Sequence, residues 1–182
     1  MKRVLPCIIA VVALGVFLAG VSKPWRAGVT ESWEGANGGF KMRIERSAEI
    51  FSFSPGRAKF ALKSVSDDFS SWKEITTFRH HDPDQVPSPQ LHFMGGRVGF
   101  MFVGWKYAVT TDAGATWNVW DGQKDLPTWK CCDDGLIRDV VLRPDGTGSM
   151  RLRVTDVRPV DKAWLNTDDY GKHWAMTRWM GY

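Results

Sequence analysis

Three cysteines in 182 residues leave this chain almost without disulfide chemistry. Cys7 lies in an apolar segment, and the other two form the adjacent pair Cys131-Cys132. In an oxidising compartment that pair either closes as a vicinal disulfide, a strained small ring, or stays as two thiols. Its neighbours Asp133 and Asp134 are poor companions for soft thiolates, so no cysteine-based metal site is expected. Tyrosine is equally scarce, with Tyr107, Tyr170 and Tyr182 alone. No G-x-S-x-G elbow, phosphate loop or H-E-x-x-H helix occurs, which removes the commonest hydrolase and nucleotide-binding motifs. Past residue 30 no run keeps apolar side chains at i, i+3, i+4 and i+7, and this excludes a mainly helical domain. A charge surplus is missing too. With Lys2, Arg3 and Lys23 set aside, 21 basic residues face 20 acidic ones, which disfavours a nucleic-acid partner.

What the first residues do have is an export signal. Lys2-Arg3 precede an uncharged stretch from Leu5 to Ser22, LPCIIAVVALGVFLAGVS, which ends at Lys23. A short basic segment before an apolar run is the pattern of secretory targeting. Its 18 residues sit just below the roughly 20 needed to span a bilayer as a helix. The stretch is read as a retained signal-anchor, with a cleaved signal as the alternative. Cys7 stands at the start of the run, where a lipid-modified cysteine would stand at its end, so a lipoprotein anchor is not expected. Residues 23–39, KPWRAGVTESWEGANGG, read as a polar linker, and 40–182 as one domain. Trp25 is placed either at the membrane interface or simply in the linker. Either fate of the signal puts the domain in a bacterial periplasm.

The domain repeats itself. TTDAGATW at 110–117 returns as TDDYGKHW at 167–174, both fitting Ser/Thr-x-Asp-x-Gly-x-(small or polar)-Trp. In the first copy Thr110, Asp112, Gly114, Thr116 and Trp117 hold the pattern; in the second, Thr167, Asp169, Gly171 and Trp174 do, with His173 in the place of Thr116. An Asp side chain accepts hydrogen bonds from backbone N–H groups of its own turn, Gly supplies positive φ, and the Trp returns the chain inward. A worn third copy, SDDFSSW at 66–72, keeps Asp68 and Trp72 without the Gly. Each copy follows two short strands joined by a turn, at Pro55-Gly56, Gly95-Gly96 and Asp145-Gly146. The Trp-to-Trp intervals of 45 and 57 residues lie near the roughly 40–50 of a four-stranded repeat unit.

These motifs resemble the Asp-box of sialidase-type and photosystem-assembly-type β-propellers. The resemblance implies an all-β domain of about three blade-like antiparallel units with Asp-box hairpins, preceded by one N-terminal apolar helix. Since propellers have about 4–8 blades, three units imply a partial propeller or an open β structure. In such families the boxes lie on the rim away from the binding site, so their residues are expected to be structural. A short exported chain of this kind also resembles the small immunity proteins that neutralise type VI secretion lipase effectors. That likeness covers roughly residues 48–175 and implies occlusion of a toxin by a rigid β surface, with no cofactor.

No catalytic residue is expected. A sialidase needs an arginine triad, a Tyr–Glu pair and an acid Asp, whereas the chain has only three tyrosines, lacks an Arg-Ile-Pro-type motif near its N-terminus and has about half the expected length. Arg151 and Arg153 alternate around Leu152 as one solvated strand face. His80-His81-Asp82-Pro83-Asp84 could hold a metal, yet neighbouring side chains of an extended segment point to opposite faces, so no metal is expected. The chain is therefore read as a non-enzymatic protein-binding module, anchored to the membrane. An envelope assembly factor and a carbohydrate-binding, degenerate sialidase-like module are the alternatives. Ten tryptophans are more than the boxes use, and Trp105, Trp120, Trp129, Trp164 and Trp179 are left for core or recognition. The aromatic, acidic loop 118–136 is the expected partner-binding segment, through Trp120, Asp121, Trp129, Asp133 and Asp134. The segment 80–90, with Pro87 and Pro89, is the second choice.

Overall fold

A computed structural model of the chain describes residues 30–49, 57–65, 71–126, 136–153 and 162–180. Among the described residues, twelve strands form three four-stranded antiparallel sheets. The first sheet contains β1 (Thr30–Asn37), β2 (Phe40–Ala48), β3 (Ala58–Val65) and β4 (Lys73–His80). The second contains β5 (Gln90–Met94), β6 (Val98–Val103), β7 (Lys106–Thr110) and β8 (Asn118–Asp121). The third contains β9 (Leu136–Leu142), β10 (Gly148–Arg153), β11 (Lys162–Thr167) and β12 (Ala175–Met180). Each sheet is a meander in which sequence neighbours are also spatial neighbours. The described helical structure is a 3-10 turn at Pro83–Gln85 and one turn of α-helix, α1, at Gly122–Asp125. The sheets do not close into a barrel or a propeller. No helix among the described residues is long and apolar enough to cross a membrane, and residues 1–22 lie outside them.

The stacking order is written in the strand sequences. In β2, FKMRIE alternates: Phe40, Met42 and Ile44 are fully buried, while Lys41, Arg43 and Glu45 face outward. In β10, GSMRLR alternates in the same way around Met150 and Leu152. Alternation of this kind buries one face only. In β6, by contrast, FMFV has no polar position, and β7 is buried throughout. Such a run belongs to a strand covered on both sides. The second sheet is the middle layer. Met101, Val103 and Trp105 join Phe40, Ile44, Phe60, Leu62 and Phe78 in a core shared with the first sheet. Phe100, Phe102, Tyr107 and Val109 join Ile137, Met150, Leu152 and Leu165 in a core shared with the third.

The outward face of the first sheet is closed by charge. Arg43 bridges Glu34 and Glu45, Lys63 lies 2.6 Å from Glu45 and Lys59 lies 3.3 Å from Glu74. Arg43 also stands 4.1 Å above the ring of Trp72. A polar outer face offers nothing for a further sheet to bury, so the stack ends there without ring closure.

One expected boundary moves. Within 23–39, read as a linker, residues 30–37 form β1 and pair with β2 over eight positions. Glu31, Ser32 and Glu34 stay in water while Trp33 packs on the first core, an alternation masked by the polar composition of TESWEGAN. Gly38 and Gly39 then make a two-residue hairpin turn with φ of 58° and 90°. A Cβ on Gly38 would come within 2.6 Å of the Gly96 carbonyl oxygen, so glycine is required by packing as well as by φ.

Candidate functional site

The meanders give the stack two unlike rims. At one the first strand of each sheet ends and the second begins, and the third ends and the fourth begins; at the other lie the strand ends from which the remaining connections and both crossovers leave and return. On the first rim the two repeated turns are built alike. Thr110 Oγ1 donates to Asp112 Oδ1 at 2.8 Å and accepts from the Gly114 N–H at 2.9 Å. Asp112 accepts from the Thr116 N–H at 2.9 Å and its hydroxyl at 2.5 Å. Thr167, Asp169 and Gly171 repeat these distances, and His173 supplies its N–H at 3.0 Å and its Nδ1 at 2.5 Å. The Thr116 hydroxyl and N–H bonds hold the Asp112 carboxyl down at about 2. Burial acts the other way on Asp169, and the His173 and Thr167 bonds overcome it, again to about 2.

Glycine is only half of each turn. Ala113 and Tyr170, just before Gly114 and Gly171, also have positive φ, at 58° and 64°. Each is held there by the turn joining the first two strands of its own sheet: the Ala113 N–H donates to the Arg97 carbonyl at 2.9 Å, and the Tyr170 N–H to the Gly146 carbonyl at 2.9 Å. Asn37 Nδ2 donates to the Gly95 carbonyl at 2.7 Å and joins the first sheet to the second. The Tyr107 hydroxyl donates to the Tyr170 carbonyl at 2.9 Å and joins the second to the third. Burial first, and then the Asp169 charge, push that phenol well above its usual pKa, so it remains a donor. Trp117 packs on Phe40 and Trp174 on Tyr107, so each Trp reaches the preceding sheet. Trp72 also stands just before the fourth strand of its sheet. With no preceding sheet to meet, it lies under Arg43 on the outer face; residues 66–70 of the worn copy lie outside the described residues. This rim is occupied by its own bonds.

The opposite rim holds a groove of about 520 Å³ between β1, β2, the start of β3 and the β4–β5 connection. Arg46 reaches Glu31 at 3.5 Å and Asp84 at 2.9 Å. Glu49 meets Arg79 at 2.5 Å and Arg57 at 3.6 Å. Asp82 accepts from the Gln85 side chain at 2.9 Å, and Pro83 opens the 3-10 turn that presents Asp84. The second-choice segment 80–90 therefore does form a wall. Its two histidines behave differently from the extended reading. β4 ends at His80 and the chain bends, so the rings of His80 and His81 stack 5.0 Å apart at 10°. His80 is buried, and its Nδ1 accepts the Asp82 N–H at 3.0 Å; His81 lines the groove. No group of three or more His, Cys, Asp or Glu among the described residues is placed to hold a metal.

The first-choice loop divides. Trp120 and Asp121, expected on the partner face, are 4% and 7% exposed and belong to the scaffold. Trp120 packs in the second core. Asp121 pairs with Lys106 at 2.5 Å, caps α1 by accepting the Gln123 N–H at 3.1 Å, and gives its own N–H to Asp125 at 2.7 Å. Asp121-Gly122 before a polar turn is a helix-start signal, and β8 runs to Asp121, so the loop begins later than its composition implies. Trp129, Asp133, Asp134 and the pair Cys131-Cys132 lie outside the described residues. Both ends of that connection return to one turn: the Gly122 N–H donates to the Trp105 carbonyl at 3.0 Å and the Ile137 N–H to the Gly104 carbonyl at 2.7 Å. Crossover 122–136 thus leaves and re-enters on the groove-bearing rim. The chain matches no protein-family model and no curated protein sequence.

Proposed function

We propose that the chain is an exported, membrane-anchored, non-catalytic β-domain of the Asp-box type that binds a protein partner through the crossover rim. One observation carries this reading: the two rims are unlike. The rim of the two repeated turns is occupied by the hydrogen bonds of those turns, while the other bears a charged groove walled by Arg46, Glu49, Arg57, His81 and Asp84. Binding surfaces are commonly made of loops held by a rigid scaffold. Of the groove's carboxylates, Glu31, Glu49 and Asp84 are engaged by arginines and Asp82 by the Gln85 amide rather than set apart as an acid–base pair, which favours recognition over proton transfer.

The three sheets are, in this reading, three blade-like units of a partial propeller, and the first 22 residues keep the domain at the periplasmic face of the bacterial inner membrane. The partner class we favour is a secreted toxin or lipase effector, which the domain occludes as an immunity protein. Co-purification of the full chain from detergent-solubilised envelopes, read by mass spectrometry, tests this. One stoichiometric exported hydrolase, lost with Asp84→Lys, is the expected result. Recovery of envelope-complex subunits alone, insensitive to that change, would move the protein to the assembly-factor class.

A further inference from the structure

We propose that the free edge of β1 is a strand-addition site, where an extended segment of a protein partner with apolar side chains at alternate positions pairs onto the first sheet. The two-residue turn at Gly38-Gly39 makes Asn37 and Phe40 a hydrogen-bonded pair. Alternation then turns the N–H and C=O groups of Gly35, Trp33 and Glu31 toward β2, and those of Ala36, Glu34 and Ser32 away from it. Ser32, Glu34 and Ala36 are exposed, and among the described residues no turn or loop bonds to their backbone groups. A row of such groups at strand spacing matches the backbone of another strand. The site lies on a side of the stack rather than on a rim, and it stands whether or not the groove binds.

The other edges are guarded and this one is not. Among the described residues the sheets end at β1, β4, β5, β8, β9 and β12. A register shift interrupts the pairing of β4, β9 and β12 with their neighbours, and β5 and β8 have only 5 and 4 residues. Bulges and short strands are the usual means of keeping an edge from pairing. β1 keeps unbroken register over 8 residues and contains no proline, lysine or arginine. Its charges, Glu31 and Glu34, are drawn back across the sheet by Arg46 and Arg43, the residues opposite them on β2. The apolar requirement comes from the neighbouring edge. β5 lies against β1, and a Cβ on Gly35 would meet the Phe93 ring at 2.9 Å. Trp33, Leu91 and Phe93 are half-buried along this margin of the first core. An added strand therefore lays every second side chain on apolar surface and turns the others to water. A second copy of β1 brings one large apolar side chain, Trp33, where the margin asks for alternate ones, so the fitting occupant is a partner's strand.

The test follows residue-resolved amide hydrogen exchange of the full chain in neutral detergent. The probe is a capped peptide matched to the 8 residues of β1, alternating valine with serine and carrying a glycol tail for solubility. In the chain alone the amides of Ser32, Glu34 and Ala36 should exchange freely, while those of Trp33 and Gly35 are protected. Saturating probe should slow the first three at least about tenfold, an every-second-residue pattern that side-chain docking does not produce. Ser32→Pro removes one outward N–H at an edge, where proline is tolerated. It should weaken probe binding at least about fivefold, as expected for one lost hydrogen bond, whereas Ser32→Ala, which keeps the N–H, should bind as the wild type does. The exchange pattern of the wild type needs no substitution, so it decides the matter even if Ser32→Pro fails to fold. Slow exchange at the three amides in the dilute chain alone would mean that the edge is already closed, and protection that grows with chain concentration would mean that a second copy takes it. Either result, absence of protection up to the solubility limit of the probe, equal protection along β4 and β12, or unchanged binding by folded Ser32→Pro would overturn the proposal.

Discussion

At the scale of single residues the two turn carboxylates dominate. Asp112 and Asp169 titrate at about 2 in the fold against an ordinary 3.8. A depressed carboxyl pKa stabilises the fold above the unfolded value, and that contribution is lost as pH falls from about 4 to about 2. Denaturant titrations at pH 6, 4 and 2 should therefore show a steep acid loss in the wild type and a shallower one in Asp112→Ala/Asp169→Ala. At neutral pH each single change should lower stability by about 1–2 kcal/mol, from lost hydrogen bonds. A wild-type acid slope retained in the double variant would contradict the turn assignment. Gly171 is a harder constraint: its φ is 79°, and an added Cβ would lie 2.7 Å from the Trp174 ring and 2.8 Å from the Tyr107 hydroxyl. Gly171→Ala should cost more than the about 1 kcal/mol of backbone preference alone, visible as a large drop in melting temperature, whereas Lys172→Ala should be silent.

At the scale of elements, the joints between sheets are the quantities to test. Tyr107→Phe removes the hydroxyl that ties the second sheet to the third and should cost about 1–2 kcal/mol, since the part-buried Tyr170 carbonyl loses its donor. Trp105, 5% exposed, should cost about 3–5 kcal/mol on change to Ala. Trp117 is only half-buried against Phe40 and should cost less. Chemical denaturation of the three variants ranks them, and Trp117→Ala exceeding Trp105→Ala would contradict the packing. Much of this was legible in the chain. The strands around each turn and the two strong repeats follow from strand composition and turn chemistry; the burial of the FMFV run on both sides was not read from the sequence. β1 was not legible, because a strand with one face in water and a single Trp inward looks like a linker. Nor were Trp120 and Asp121, since composition does not distinguish an aromatic on a loop from one on the last strand before it. The positive φ of Ala113 and Tyr170 had no signal at all, being imposed by carbonyls contributed from another turn.

At the scale of the molecule, three sheets share two cores, and the middle sheet belongs to both. Unfolding is therefore expected to be one transition. Met42→Ala in the first core and Leu165→Ala in the second, both fully buried, should each shift that single transition by about 2–5 kcal/mol. Calorimetry that resolved two transitions, each moved by one variant, would show separate units instead. The charged outer face of the first sheet ends the stack on that side, and the three sheets do not close into a ring, a point that the sequence left open between an open β structure and a partial propeller. The candidate groove was legible only as a Pro-rich segment, because its other wall comes from Glu31, Arg46, Glu49 and Arg57, which the pairing of β1, β2 and β3 brings to it.

The most direct test of the account is site-specific photo-cross-linking in native membranes, with a photoreactive residue in place of Asp84 on the groove-bearing rim or of Lys172 on the rim of the repeated turns. The side chain at Asp84 is 84% exposed, so the probe is presented without disturbing the core. The account predicts one dominant adduct with an exported protein from position 84 and none from position 172. Adducts of equal yield from both rims, or from position 172 alone, would contradict it.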